Sequence, residues 1–373
     1  MRGRRLAARR IRIALCLLVL GSLALSGHVF AAGRTSGAKS WRGPHAGPAA
    51  CPSKRVIYVG ADFKNGGIAG IYRAVQTAAT ELGWSVSKVD GQGDVATLRQ
   101  GFSEAVRSHP DGIVVGGFQP DEVSDLVALA QSENIVLVGW HAAEAPGPTK
   151  DLFANVSTDP FAVAEIAAND ALSVGARTPG VVIFTDSRFA IARTKTDRMK
   201  RVVQQCGRCK LLSVEDVPIS SAAKLVPPAV VRLNGRFGRA WTHTLSINDV
   251  HFDNMNFPLK NLGRGDIVNV SAGDGSHKAL SRIGSGLSQQ VATVAEPLNT
   301  QGWQLIDELN RAFAGERPSG FVTTPLLITT ETLRGTGASP MELDIGYKDA
   351  YRAIWHAQPV ANKVDCSSTS PQR

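Results

Sequence analysis

The sequence predicts an α/β protein made of two Rossmann-like, doubly wound parallel-sheet lobes. From Arg55 onward, short β-branched apolar runs alternate with segments whose apolar residues recur at helical spacing. Such alternation implies βαβ units, and hence a parallel sheet with helices on both faces. The chain beyond Ser53 also exceeds the ~250–300 residues that one hydrophobic core usually serves, so two lobes are expected.

The N-terminus reads separately. Residues 1–12 hold six arginines and no acid, residues 13–25 run apolar without a charge, and a small-residue site follows at 29–31. A basic start, a short apolar core and an A-x-A-like end predict a secretory signal peptide over 1–31, and so an exported protein. The apolar run is shorter than the roughly 20 residues a bilayer span needs. The twin arginines at Arg4-Arg5 and Arg9-Arg10 are ordinary in such a basic start, and Cys51 lies too far along to be a lipidation site. Residues 32–53, rich in Gly, Pro, Ala and Ser, read as a flexible linker, with folded structure expected from Lys54.

In the first lobe, strands are expected at 55–60, 85–90, 112–115 and 136–139. Helices are expected at 68–82, stopped by Gly83, at 95–108, stopped before Pro110, and at 121–133, with an acidic first turn that suits the helix dipole. In the second, helices fall at 162–174, 191–206, 223–237, 276–283 and 299–314 and strands at 181–185, 210–217, 241–247, 266–270 and 290–294. Pro227-Pro228 predicts that the 223–237 helix becomes regular only there. Residues 249–262 form a weak helix broken by Pro258, and 322–330 a long final strand. Each lobe thus has roughly five or six strands.

The net charge of +9 is mostly a property of the N-terminus: without its six arginines, 35 bases face 32 acids. A near-neutral folded region calls for neither nucleic acid nor a membrane surface. Beyond Cys16, Cys51, Cys206, Cys209 and Cys366 form an even set suited to an oxidising compartment. Cys206-Gly-Arg-Cys209 ends a helix and lacks a second CxxC or a His pair. It therefore reads as a local disulfide or two quiet thiols, not a metal or redox site. Cys51 and Cys366 flank the folded region, and sequence leaves their pairing open.

Four stretches carry a family resemblance: 60–84 (GADFKNGGIAGIYRAVQTAATELGW); 111–141, from DGIVVGGFQPDEV to NIVLVGWH; 155–159 (NVSTD); and 246–318, through SINDV, SAGDGSHKAL and VATVAEPLNTQGWQLIDELNRAFAGERP. By their order and spacing the chain resembles the type 1 periplasmic binding proteins, which include ribose- and galactose-binding proteins. The likeness covers about 54–335, and 344–355 (DIGYKDAYRAIW) resembles the end of some members. It implies a three-crossover hinge near 157–160, 296–298 and 328–330, with ligand bound in the cleft by hinge closure. The first lobe is then 54–157 completed by 298–328, the second 158–297 completed by 329–358, and 359–373 a C-terminal tail. The implied function is that of a monomeric substrate-binding subunit of an ABC importer. It would deliver a sugar, polyol or similar small polar solute to a membrane permease. The alternative is a receptor presenting ligand to a membrane sensor.

Polar and aromatic residues cluster after strands, where open α/β sheets bind ligands. The candidate ligand-binding set is Asp62, Asn65, Phe118, Trp140, His141, Phe189, Arg193, Asn248, Asp274 and Glu296. Carboxylates and amides suit hydroxyls, and aromatic faces suit C–H patches. Asn65, Arg193, Asn248, Asp274 and Glu296 fall at positions matching the family's sugar-binding pattern. Simpler roles compete: Asp159 and Asp249 fit helix caps, Asn65 and Asp274 fit turns, and Arg193 fits a solvent-facing helix position. The chain departs from the sugar-binding pattern where an Asp-Arg pair reads His141-Ala142 and an aromatic pair reads Gly67-Ile68. One carboxylate, one guanidinium and two stacking faces are missing there, and His141 suits a different ligand.

The loop GADFKNGG lacks the GxGxxG order of a dinucleotide site, and GxSxG, HExxH and GxxxxGK[ST] are absent from the sequence. No catalysis, cofactor or metal is expected. A DNA-binding regulator sharing this core would need a helical headpiece where the signal peptide stands.

Overall fold

A computed structural model describes residues 41–336, 346–357 and 366. The expected signal peptide and most of the C-terminal tail lie outside these. The first lobe runs β1 (Arg55–Gly60), α1 (Gly66–Glu81), β2 (Ser85–Asp90), α2 (Val95–Arg107), β3 (Gly112–Gly116), α3 (Ser124–Ser132), β4 (Val136–Trp140) and β5 (Ala154–Val156). The second runs α4 (Pro160–Ser173), β6 (Gly180–Thr185), α5 (Ala190–Gln205), β7 (Lys210–Asp216), α6 (Ala222–Phe237), β8 (His243–Ser246), α7 (Asp249–Asp253), α8 (Asn256–Asn261), β9 (Val268–Ser271), α9 (His277–Ser285) and β10 (Gln290–Ala295). Then follow α10 (Leu298–Phe313), β11 (Leu326–Thr329), α11 (Thr330–Thr336) and α12 (Tyr347–Trp355).

The strand orders are β2-β1-β3-β4-β5 and β11-β10-β9-β8-β6-β7, parallel except for the β10–β11 pair. β3 and β6 are buried along their whole length, as strands covered by helices on both faces must be. The two-lobed α/β expectation therefore holds, with five and six strands. Side chains cap most helices that open toward the strand ends: Asn65 for α1, Asp94 for α2, Asp159 for α4, Asn248 for α7 and Ser276 for α9.

Several expectations need correction. Residues 41–53 are not a tether. Trp41 packs edge-on against Phe321 and Tyr351, and Cys51 is fully buried. Asn310 on α10 donates to the carbonyls of Pro48 and Ala49 and accepts from the Cys51 N–H. Composition suggested freedom, but two large or sulfur-bearing anchors hold the segment down. The last strand is short and belongs to the second lobe, so the third crossing falls at 324–325 and not at 328–330. α12 returns to the first lobe, where Tyr347, Tyr351, Ile354 and Trp355 join its core. Residues 346–357 thus do not complete the second lobe.

Pro227 and Pro228 lie inside α6. The carbonyls their missing N–H groups would have bonded belong to Ala223 and Lys224, both exposed to solvent, while Val226, Ala229, Val230 and Leu233 hold the opposite face in the core. The 249–262 segment breaks at Asn254-Met255, before Pro258, which sits in the first turn of α8. Two disulfides are formed, Cys51–Cys366 and Cys206–Cys209.

Candidate functional site

Between the carboxyl ends of the two sheets lies a cleft of about 330 Å³. Much of its wall is apolar: Ile68, Leu98 and Phe118 from the first lobe, Phe189, Ile219 and Ile247 from the second. That volume and character fit a small organic molecule.

The lobes meet across this cleft, and glycines set how closely. A Cβ on Gly66 would stand 2.8 Å from the Ser276 Cβ, and one on Gly67 would stand 2.6 Å from Asp274 Oδ2. On the other side, a Cβ on Gly93 (φ +71°) would stand 2.5 Å from the Ser220 Cβ. The Gly66-Gly67 pair therefore lets the start of α1 approach the 274–276 turn directly.

At the hinge, Glu296 follows β10 and is fully buried. Thr158 Oγ1 donates to its Oε1 at 2.7 Å and Gln301 Nε2 to its Oε2 at 2.9 Å. His141 Nε2 stands 3.3 Å and Lys195 Nζ 3.9 Å from the same Oε1. Burial alone would raise the carboxyl pKa. His141, Lys195 and Thr158 together outweigh it and hold it down to about 2. Gln301 also accepts from Trp140 Nε1, and the indole stacks on the His141 ring at 4.0 Å. Two chain crossings, α5 of the second lobe and the first lobe's cleft wall are thus joined in one polar cluster.

The second lobe's wall has its own network. Asn248 caps α7 by accepting from the Val250 N–H, and its amide donates to Asp274 Oδ2. Asp249 is buried and faces away from the cleft. It accepts from the N–H groups of Gly275 and Ser276 and from Gln290, fixing the turn that presents Asp274. Burial, then the charge of Asp274, push the Asp249 carboxyl up to about 6. Arg188 reaches the cleft while held bidentately by buried Asp186. In the first lobe, Asp62 Oδ1 accepts from the Lys64 N–H, and its Oδ2 is buried without a hydrogen-bond partner among the described residues.

Eight of the ten expected residues line the cleft: Asp62, Asn65, Phe118, Trp140, His141, Phe189, Asn248 and Asp274. Glu296 sits behind it in the hinge. Arg193 does not reach it: its guanidinium donates to the Ser187 carbonyl, and the residue is exposed. Helical spacing explains the miss, because the inward face of α5 carries Ala192 and Lys195. Sequence reasoning missed Lys195 and Arg188. A buried-face period on 190–205 would have found Lys195, whereas nothing in sequence marked Arg188. Asp159 caps α4, as its simpler role predicted. Among the described residues no group of three or more His, Cys, Asp or Glu could hold a metal.

Residues 56–317 match a family model described as a periplasmic binding protein domain. No curated protein matches the chain. Solved structures share the fold. An ABC transporter solute-binding protein from Agrobacterium vitis with bound allitol is 19% identical, with 76% of this chain and 98% of that one covered and a TM-score of 0.66. A glucose-galactose binding protein from Geobacillus stearothermophilus is 16% identical, covering 76% and 99%, with a TM-score of 0.67. A 5-methylthioribose transporter solute-binding protein from Thermotoga lettingae, in complex with 5-methylthioribose, is 15% identical, covering 80% and 93%, with a TM-score of 0.68.

Proposed function

This chain belongs to the periplasmic binding protein family, and we propose that it captures a small polar solute outside the cytoplasm for an ABC importer. One observation carries the reading: two parallel-sheet lobes close on a small cleft whose hinge consists of short crossings at 157–159, 296–297 and 324–325. Such a device converts solute binding into a change of shape, because contacts to both lobes exist only when they are closed. The structural relatives include one solved with bound allitol and one named for glucose and galactose, which supports a hydroxylated solute. The cleft residues bind and orient without chemistry, and a membrane permease receives the solute from the closed protein. Two disulfides support an exported protein in an oxidising compartment. Among the described residues, no helix is long and apolar enough to cross a membrane.

The test is ligand-dependent thermal stabilisation across sugars, polyols and small acids. A captured solute at a hundred times its Kd adds about 2.7 kcal/mol to stability and raises Tm accordingly. Asp274→Ala and Asp62→Ala are expected to lose the shift while staying folded, and Arg193→Ala to keep it. The absence of any shift across the panel sinks the capture reading.

A further inference from the structure

We infer that the second lobe's side of the cleft, at the start of α5, is an anion subsite and that the captured solute carries a carboxylate. The inference rests on the capture reading above and adds the chemical class of the ligand. α5 is 16 residues long, and its N-terminal residues Phe189, Ile191 and Ala192 line the cleft. Its N-cap is Phe189, which has no side-chain oxygen to offer, so the first N–H groups lack the cap found on α1, α2, α4, α7 and α9. The positive end of the helix dipole therefore opens into the cleft with free donors, a setting that favours an anion.

A second, independent observation comes from Lys195 on the same helix. Side chains on a helix lean toward its N-terminus, so Lys195 reaches back to the cleft end. It is 3% exposed, and among the described residues the one carboxylate its ammonium pairs with is Glu296, at 3.9 Å, beyond hydrogen-bond distance. The Nε2 of His141 is likewise buried without a hydrogen bond, 3.3 Å from the same Glu296 oxygen. One carboxylate, already bonded by Thr158 and Gln301, is shared between two basic side chains. A ligand carboxylate would accept from Lys195, His141 and the N–H groups of α5, the donors that this corner of the cleft leaves without hydrogen bonds among the described residues. Asp62, with its unpartnered Oδ2, suits a hydroxyl donor elsewhere on the solute.

The test uses matched probes that differ only in the acid group: D-galacturonate against D-galactose, D-gluconate against D-glucitol, and 4-hydroxybenzoate against 4-hydroxybenzyl alcohol. Calorimetry on the wild type is expected to show at least one acid binding tenfold or more tighter than its neutral partner. Lys195→Met, which keeps the length and removes the charge, is expected to abolish that preference. His141→Gln, which keeps a donor, is expected to weaken it and provides the same comparison should Lys195→Met fold poorly. A neutral partner binding as tightly as its acid overturns the anion subsite and leaves the capture reading standing. An acid preference that survives both substitutions also overturns it. No binding by any probe of either kind overturns both.

Discussion

At the scale of single residues, two buried carboxyls respond to pH in opposite directions. Glu296 is held down to about 2, so its ionised form stabilises the fold above the ordinary carboxylate range, and that contribution is lost as pH falls from 4.5 toward 2. The effect is on the order of 3 kcal/mol. Asp249 is pushed up to about 6, so its contribution is full below 3.8 and is lost as pH rises through 6. Melting temperature measured against pH should therefore lose its acid limb between 4.5 and 2 in Glu296→Gln. At neutral pH that variant should be less stable by about 3 kcal/mol, because Lys195 keeps a buried charge without its partner. An unchanged acid limb would mean that Glu296 is not the linked group. The presence of both acids was legible in the sequence. Their opposite shifts were not, because each depends on neighbours far away in the chain.

Among the elements, the least expected is the belt formed by 41–53, α10 and α12. Trp303 and Tyr351 each stack on Trp355, Trp355 donates to Asp307, and the Ala50 N–H donates to the Trp355 carbonyl. The Cys51–Cys366 disulfide closes the belt across 315 residues of sequence. Trp355→Ala should cost about 3–5 kcal/mol. The Cys51→Ser, Cys366→Ser double variant should cost about 2–5 kcal/mol. Urea unfolding followed by tryptophan fluorescence checks both, and a loss well below 1 kcal/mol for Trp355→Ala would show that the belt adds little to the first lobe. Sequence patterning placed α10 because its apolar residues recur at helical spacing, but it assigned no helix to 344–355. It misread 41–53, where the anchoring comes from two residues in an otherwise loop-like composition.

For the whole molecule, the consequence is how far the lobes close. Gly67 stands where Asp274 Oδ2 and the Trp140 ring leave no room for a methyl group: a Cβ there would lie 2.6 and 3.0 Å from them. Gly67→Ala should therefore hold the lobes apart. Its solute affinity should fall tenfold or more, with the ligand-free Tm unchanged or higher, since alanine is favoured over glycine within a helix by roughly 0.5–1 kcal/mol. Calorimetry and small-angle scattering with and without solute check this. Full affinity with normal compaction would show that closure does not need this contact.

The sequence by itself determined the alternation of strands and helices, the two lobes, the family likeness and eight of the residues lining the cleft. These follow from local periodicity and from the rule that ligands meet parallel sheets at their carboxyl ends. Only the tertiary structure decided that Lys195, not Arg193, faces the cleft, that Glu296 belongs to the hinge, and that α12 joins the first lobe. Each depends on contacts between segments distant in sequence, and on which face of a helix meets another element. A reading along the chain fixes that face only when its apolar stripe is unambiguous, and on α5 the inward stripe includes a lysine.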